Sequence, residues 1–360
     1  MRTECLTKAE EAFQTLRSAW SDLLTRSATN TTFLEPFWQA DWWDAYGEGK
    51  ALCVITVRDD EDQLVGIAPL FRHERQVSED SPLPPLSIER PESEAEGVSK
   101  KILHPIGGTE LSDYLDWIVD KDVADAVYEA IWVYLTEEMD EWDLLDLHCI
   151  PEGSPTLERL PELAKETGYQ TAVEQEEVCP IVDLPDDWSD YLDSLDSKQG
   201  REIRRKDRRA KRMLRVDWRK HGEGDDLEAD IELFIRLHKA SDPEKAAFWD
   251  EGTTTFFREV VRDLAKAGVL ELSFIYFNDE PMATLLCFTH DRDMLVYNSG
   301  YVADRYRSLS SGLLLLSYVI KDAIERDMDH FDFLRGDERY KYDYGGVDKP
   351  IYRLGIAPAE

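Results

Sequence analysis

Residues 304–346 read DRYRSLSSGLLLLSYVIKDAIERDMDHFDFLRGDERYKYDYGG. A polar loop, Arg305 to Ser311, closes on Gly312. The spacing predicts an apolar helix from Gly312 to about Arg326, then a short buried strand, His330 to Leu334. That strand runs into a charged, aromatic loop containing Tyr340 and Lys341. A Ser- and Gly-rich loop that opens a helix leaves backbone N–H groups without intrahelical partners, and the helix dipole adds partial positive charge there. Such a helix start suits a phosphate group. The strand end beside it is where a reacting group is expected, so the stretch reads as a cofactor-and-catalysis unit.

Working outward, 360 residues suit two domains better than one, and 42% apolar content supplies real cores. The formal net charge is −34, with 16 Lys and 26 Arg against 76 acidic residues. Such a surface disfavours nucleic acid as a general partner. It also fits a high-salt cytoplasm, where a Debye length of ~3 Å at 1 M salt screens the self-repulsion. The five cysteines, Cys5, Cys53, Cys149, Cys179 and Cys287, are scattered and form no C-x-x-C. That argues against a disulfide framework and against zinc, and no metal is expected. MRTECLTKAEEAF lacks the apolar core of a secretory signal, and the longest apolar run, Leu313 to Leu316, is far too short to span a bilayer. The expected location is the cytoplasm.

In chain order, Glu4 to Leu24 has helical spacing. Trp38, Trp42, Trp43 and Tyr46 share a second helix face, read as core, ended by Gly47 and Gly49. Ala51–Val57 and Gln63–Phe71 form a hairpin, and Arg72–Lys100 is a polar, Pro-rich loop. Strands are expected at Lys101–Ile106, Leu111–Val119, Trp142–Cys149 and Tyr169–Val182, with helices at Asp122–Glu138 and Leu157–Thr167. After Val182 the same order recurs. Lys198–Lys220 carries twelve basic and three acidic residues and reads as a largely solvent- or ligand-facing helix. Helices follow at Leu227–His238 and Phe256–Ala267. Val269–Phe277 and Met282–Thr289 form a hairpin about Asn278-Asp279, and strands are expected at Asp293–Tyr301 and Ile351–Ile356.

Several segments resemble the GNAT-type acyltransferases of the CelD/BcsL group, related in architecture to the FemAB-type peptidyltransferases. They are the basic helix over Arg201–Arg212, LSFIYFNDEPMATLLCFTH, MLVYNSGYVADRYRSLSSGLLLL and, most specifically, FDFLRGDERYKYDYG. FLEPFWQADWWDAY, LVGIAPLFR and GGTELSDYLDW resemble the family's N-terminal portion, so the likeness covers nearly the whole chain. It implies an α/β fold of two tandem GNAT-like domains, 1–183 and 184–360, each a mixed, mostly antiparallel sheet flanked by helices. It also implies N-acyl transfer from acetyl-CoA or another acyl-CoA to a small amine acceptor, phosphorylated or acidic ones included. The pyrophosphate loop departs from the family pattern Arg/Gln-x-x-Gly-x-Gly/Ala: here Arg307 is kept and Gly312 is the one glycine. The N-terminal counterpart, IVDKDVADAV, has neither Gly nor Arg, so the first domain is expected to bind no cofactor.

Acyl transfer to an amine needs a held donor, a proton acceptor and a stabilised oxyanion. Arg307, Ser308, Ser310, Ser311 and Gly312 are the candidates for holding the donor. Asp337 or Glu338 is the candidate base, and Tyr340 the acid for the leaving thiolate. Lys341 is assigned to a phosphate or the oxyanion. Asp332 either lines the cleft or caps a neighbouring loop. Asp113 and Tyr114 are candidates for reaching the acceptor. Arg204 and Arg208, on the basic helix, suit a phosphate or acidic ligand, internal ion pairs, or the tRNA of an aminoacyl-tRNA donor. No Ser-His-Asp constellation and no H-E-x-x-H is present. Aminoacyl transfer from tRNA and a non-catalytic binding module are the alternatives.

Overall fold

The computed structural model describes residues 1–77, 98–108, 110–139, 142–222, 224–302 and 305–359. The protein is mixed α/β and forms two compact units, Met1–Glu177 with Pro350–Glu360, and Val178–Lys349.

The first unit contains β1 (Arg2–Leu6), α1 (Arg17–Arg26), α2 (Pro36–Tyr46), β2 (Ala51–Arg58) and β3 (Leu64–Val77). There follow β4 (Val98–Pro105), β5 (Ile118–Val119), α3 (Ala124–Val133), β6 (Leu144–Pro151) and α4 (Thr156–Glu166), and β7 (Tyr169–Asp183) leads on into the second unit. Its sheet runs β1-β2-β3-β4-β6 and is completed by the C-terminal strand Val347–Pro358. All pairs are antiparallel except β4 with β6. The expected Glu4–Leu24 helix instead opens as a strand: Arg2–Leu6 pairs with β2, and helix begins only at Glu10. Trp20 and Leu23 are nonetheless buried as the spacing required, as are Trp38 and Trp42. Trp43 and Tyr46 are half-buried. The polar loop expected over 72–100 is strand at both ends; its middle, 78–97, lies outside the described residues. Of the expected Leu111–Val119 strand only Ile118–Val119 pairs, with β3.

The second unit contains α5 (Trp188–Ser194), α6 (Ser197–Met213), β8 (Val216–Lys220), α7 (Leu227–Lys239), α8 (Pro243–Ala247) and α9 (Glu251–Ala267). Then come β9 (Leu270–Phe277), β10 (Glu280–His290), β11 (Asp293–Tyr301), α10 (Ser311–Glu325), β12 (His330–Asp332) and α11 (Arg339–Asp343), before the C-terminal strand, β13. Its sheet order is β7-β12-β11-β10-β9-β8, antiparallel except β11 with β12. The β9–β10 turn places Asn278 and Asp279 at φ 51° and 70°. Asn and Asp tolerate this left-handed backbone, which matches the twist of a tight hairpin. The basic helix ends at Met213, and Val216–Lys220 is an edge strand pairing with β9, because Val216 and Trp218 pack against the core. Leu314, Leu315, Leu316, Val319, Ile320, Ala323 and Ile324 of α10 are buried in that core. Each large side chain among them contributes about 1.5–3 kcal/mol. Gly300 lets α7 approach β11: a Cβ there would lie 2.4 Å from the His238 backbone nitrogen.

Candidate acyl-transfer site

The second unit places a cavity of about 500 Å³ at the start of α10. Two local features open it. The β11–β12 ladder ends at Leu295–Asp332, although β11 runs on to Tyr301. β12 stops there because Asp332 Oδ1 accepts the Leu334 N–H at 2.7 Å, fixing a turn with Leu334 at φ 55°. On its other side the chain stays bound to β7, for Phe333 N–H donates to Pro180 O in register with the β7–β12 ladder, so only the β11 side opens. The second feature is a bulge in β11, where Leu286 faces Asn298 but Cys287 faces Val296, so Tyr297 is additional. A bulge bends a strand and re-aims its side chains. Leu285 and Val296 line the cavity floor.

The helix start forms one wall. Ser310 sits at φ 51° as the N-cap residue, and no side chain caps α10. A helix begun in this way leaves its first amides for a ligand. Ser311 Oγ donates to Met282 O at 3.3 Å, while Lys206 Nζ donates to Ser310 Oγ at 3.1 Å, bringing a cation from α6 to the loop. Glu338 and Tyr340 form another part of the wall. Burial, then the Glu338 carboxylate, holds the Tyr340 phenol well above its ordinary pKa.

Arg307, Ser310, Ser311, Gly312, Glu338 and Tyr340 thus line one cavity. The other expected residues lie elsewhere. Ser308 is exposed on a short turn, and Asp337 is exposed beside the rim residue Glu338. Lys341 is 2% exposed and is not among the lining residues. Its ammonium donates to the carbonyls of Leu334, Arg335 and Gly336 at 3.0, 2.6 and 3.1 Å, and meets Glu338 Oε2 at 2.9 Å. Asp332 forms the loop-capping contact described above. Asp113 and Tyr114 belong to the first unit, where both are buried. Arg204 and Arg208 line a separate cavity of about 370 Å³ with Trp188, Trp218 and Tyr318. Arg204 pairs with Asp193, Arg205 with Glu202 and Lys211 with Asp207, so internal pairing occupies part of the basic face.

Sequence reasoning missed Lys245. It lies on α8, N-capped by Asp242, and both residues line the cavity. Lys245 Nζ donates to Ser299 O at 2.6 Å. Burial lowers its pKa, while Asp242 and Glu338 pull it back up. The D-P-E-K run, an N-cap followed by Pro at the first helical position, marks this short helix in the sequence. Behind it, His238 is fixed in one tautomer: Trp249 Nε1 donates to Nδ1 at 2.8 Å, so Nε2 carries the proton that Asn298 Oδ1 accepts at 2.6 Å.

Residues 197–342 match the family described as an acetyltransferase (GNAT) domain. No curated protein matches the sequence. Among solved structures, FemX is similar with a TM-score of 0.62 at 11% identity, covering 98% of this chain and 97% of its own. A conserved protein of unknown function from Bacteroides thetaiotaomicron has a TM-score of 0.55 at 12% identity, covering 95% and 97%. L-PGS from Bacillus licheniformis has a TM-score of 0.52 at 10% identity, covering 95% and 91%. At such identities the likeness is one of fold. The family match thus shows a GNAT acetyltransferase-type domain over residues 197–342, and the neighbours show that the chain as a whole has a fold like that of FemX.

Proposed function

We propose that the second unit transfers an acyl group, with acetyl as the first choice, from an acyl-CoA to the amine of a small acceptor such as a sugar, lipid or envelope precursor. The observation that carries this reading is the single cavity uniting an uncapped helix start, a protonated phenol and a carboxylate. Bound acyl-CoA would supply a thioester carbonyl as electrophile. The Ser311 and Gly312 amides, with Arg307 and Lys206, hold its phosphates. Glu338 accepts the proton of the attacking amine, and Tyr340 donates one to the departing thiolate. Lys341 positions Glu338 and the 334–336 turn. The first unit is proposed to hold no cofactor, and 1–183 and 184–360 are the proposed domains, with the C-terminal strand of the second pairing with β6 of the first unit's sheet.

Calorimetric titration with acetyl-CoA tests the donor. Gly312→Ala is expected to bind, since its Cβ meets the Tyr301 ring only at an ordinary 3.5 Å. Gly312→Leu and Ser311→Trp are expected to lose binding. An unmodified chain that binds no acyl-CoA overturns the reading. Binding without turnover on a broad amine panel would favour a non-catalytic module. The exposed part of α6 supports a second reading, aminoacyl transfer from tRNA; it requires tight tRNA binding that Arg204/Arg205/Arg208→Glu abolishes. Among the described residues no helix is long and apolar enough to cross a membrane.

A further inference from the structure

Two histidines of the first unit have four buried ring nitrogens with no hydrogen-bond partner. His104 and His148 are 0% and 1% exposed. A neutral imidazole carries one donor and one lone pair, and burying both unmatched is costly. The sheet brings the two rings to one carboxylate. β4 and β6 pair in parallel, Ile102 with Leu144 and Leu103 with Leu145, which sets His104 beside Asp146. His148 is two residues beyond Asp146 and so projects from the same face. Asp146 is itself fully buried.

We propose that His104, Asp146 and His148 form a structural site for a divalent transition-metal ion of the zinc class. Their ligand atoms lie within 4.8 Å of one another. His148 Nε2 is 3.3 Å and His104 Nδ1 is 3.7 Å from Asp146 Oδ2. Zinc bonds of about 2.0–2.2 Å in a tetrahedral shell require ligand atoms roughly 3.3–3.6 Å apart, so the Asp146 separations nearly fit and the two imidazoles would close by up to about 1 Å around an ion. Two imidazoles and one carboxylate suit that class better than Mg²⁺ or Ca²⁺, which take oxygen ligands. A water completes the four ligands.

One supporting contact is already made and a second group stands nearby. Arg353 clamps Asp146 with Nε and a terminal nitrogen, each at 2.7 Å, leaving the outer lone pairs of the carboxylate for a metal. His148 Nδ1 faces Glu176 Oε2 at 3.9 Å, and Glu176 is itself held by the Cys149 N–H at 2.9 Å. At that distance it makes no hydrogen bond, and a shift of several tenths of an ångström would bring it into the place from which a carboxylate sets the tautomer of a metal-bound histidine. The bound ion would tie β4 to β6, whose ladder is parallel and short. The second cluster of this kind, His221 with Asp225 and Asp230, differs in that Asp225 is exposed and His221 Nδ1 already meets Asp230 at 2.8 Å.

The test uses the full chain, stripped with a chelator and held in about 1 M KCl to suppress loose binding to surface carboxylates. Zn²⁺ is titrated by calorimetry and Co²⁺ by visible absorption. One tightly held equivalent, the intense visible bands of four-coordinate Co²⁺ and a higher melting temperature with Zn²⁺ are expected. His104→Asn and His148→Asn should each weaken binding at least about 100-fold, whereas His221→Asn should not. Should either buried variant fail to fold, X-ray absorption at the zinc edge of the unaltered protein decides: two imidazoles in the shell support the site, and their absence overturns it. A folded, stripped chain that takes up no equivalent overturns it, as does binding abolished by His221→Asn or unchanged in a folded His148→Asn variant. In the last two cases the four nitrogens are served by buried water instead.

Discussion

Lys341 Nζ stands 2.9 Å from Glu338 Oε2 while donating to three backbone carbonyls of the 334–336 turn. One ammonium therefore fixes both the turn that ends β12 and the carboxylate at the cavity wall. Replacing it with an apolar chain of similar length leaves several buried carbonyls unmatched, at ~1–3 kcal/mol each. Lys341→Met should lower the unfolding free energy by about 3 kcal/mol in urea titrations. A loss below about 0.5 kcal/mol would show that the turn holds without it.

Glu338→Gln keeps the shape of the wall and removes the proton acceptor. Turnover should fall about 100-fold, with acetyl-CoA affinity nearly unchanged. Steady-state kinetics with a working amine, alongside calorimetry, separate the two effects. A fall in affinity with kcat retained would move Glu338 from chemistry to donor binding.

Tyr340→Phe should also reduce kcat, by roughly 100-fold, in the thiolate-release step. Because burial raises the phenol above its ordinary value of about 10, the unmodified enzyme should keep this proton throughout the neutral and mildly alkaline range. An alkaline limb near neutrality that vanishes in Tyr340→Phe would contradict the assignment.

His238 predicts a pH effect on stability. Burial, with Lys245 nearby, lowers its pKa to about 4, against a partial pull upward from Asn298 and Asp242. The unfolded imidazole takes its proton near 6.5, so between about 4 and 6.5 the unfolded chain binds more protons. Stability from this group is thus fully present above about 6.5 and lost as pH falls through 4, roughly 3 kcal/mol in all. His73, also lowered to about 4 by burial and by Lys50 and Arg75, acts in the same direction. Urea titrations across this window should show a shallower slope for His238→Gln than for the unmodified chain. An identical slope would rule His238 out as a contributor.

The net charge of −34 predicts a salt effect. Raising KCl from about 0.1 to about 1 M shortens the Debye length from ~10 to ~3 Å and should raise the melting temperature. A melting point that falls with KCl would mean that ion pairs outweigh the repulsion. Calorimetric scans at matched pH distinguish the two.

Local signals were legible wherever they were strong and close in sequence. Asn278-Asp279 announced its hairpin, and the Leu-rich run of α10 announced a buried helix. β12 is shorter than its apolar pattern because the Asp332 side chain captures the Leu334 amide, a contact that periodicity cannot encode. The basic run was read as one helix since its charge is uniform; packing of Val216 and Trp218 divides it. Lys341 looked catalytic for its rarity and its aromatic neighbours, yet three carbonyls claim it. Lys245 went unseen because its shelter depends on Ser299 of β11, 54 residues further along the chain. His104 and the pair Asp146 and His148 come from different strands, and only parallel pairing makes them neighbours.

The first unit receives its last strand from residues that follow the whole of the second. During synthesis Val178–Lys349 can collapse around its own core as soon as it emerges. β6 meanwhile stands as an open sheet edge until Ile351–Ile356 arrives, and Asp146 waits for Arg353. The nascent chain thus holds an incomplete sheet throughout the translation of an entire inserted domain. Cutting it after Lys349 should leave that exposed edge prone to intermolecular pairing.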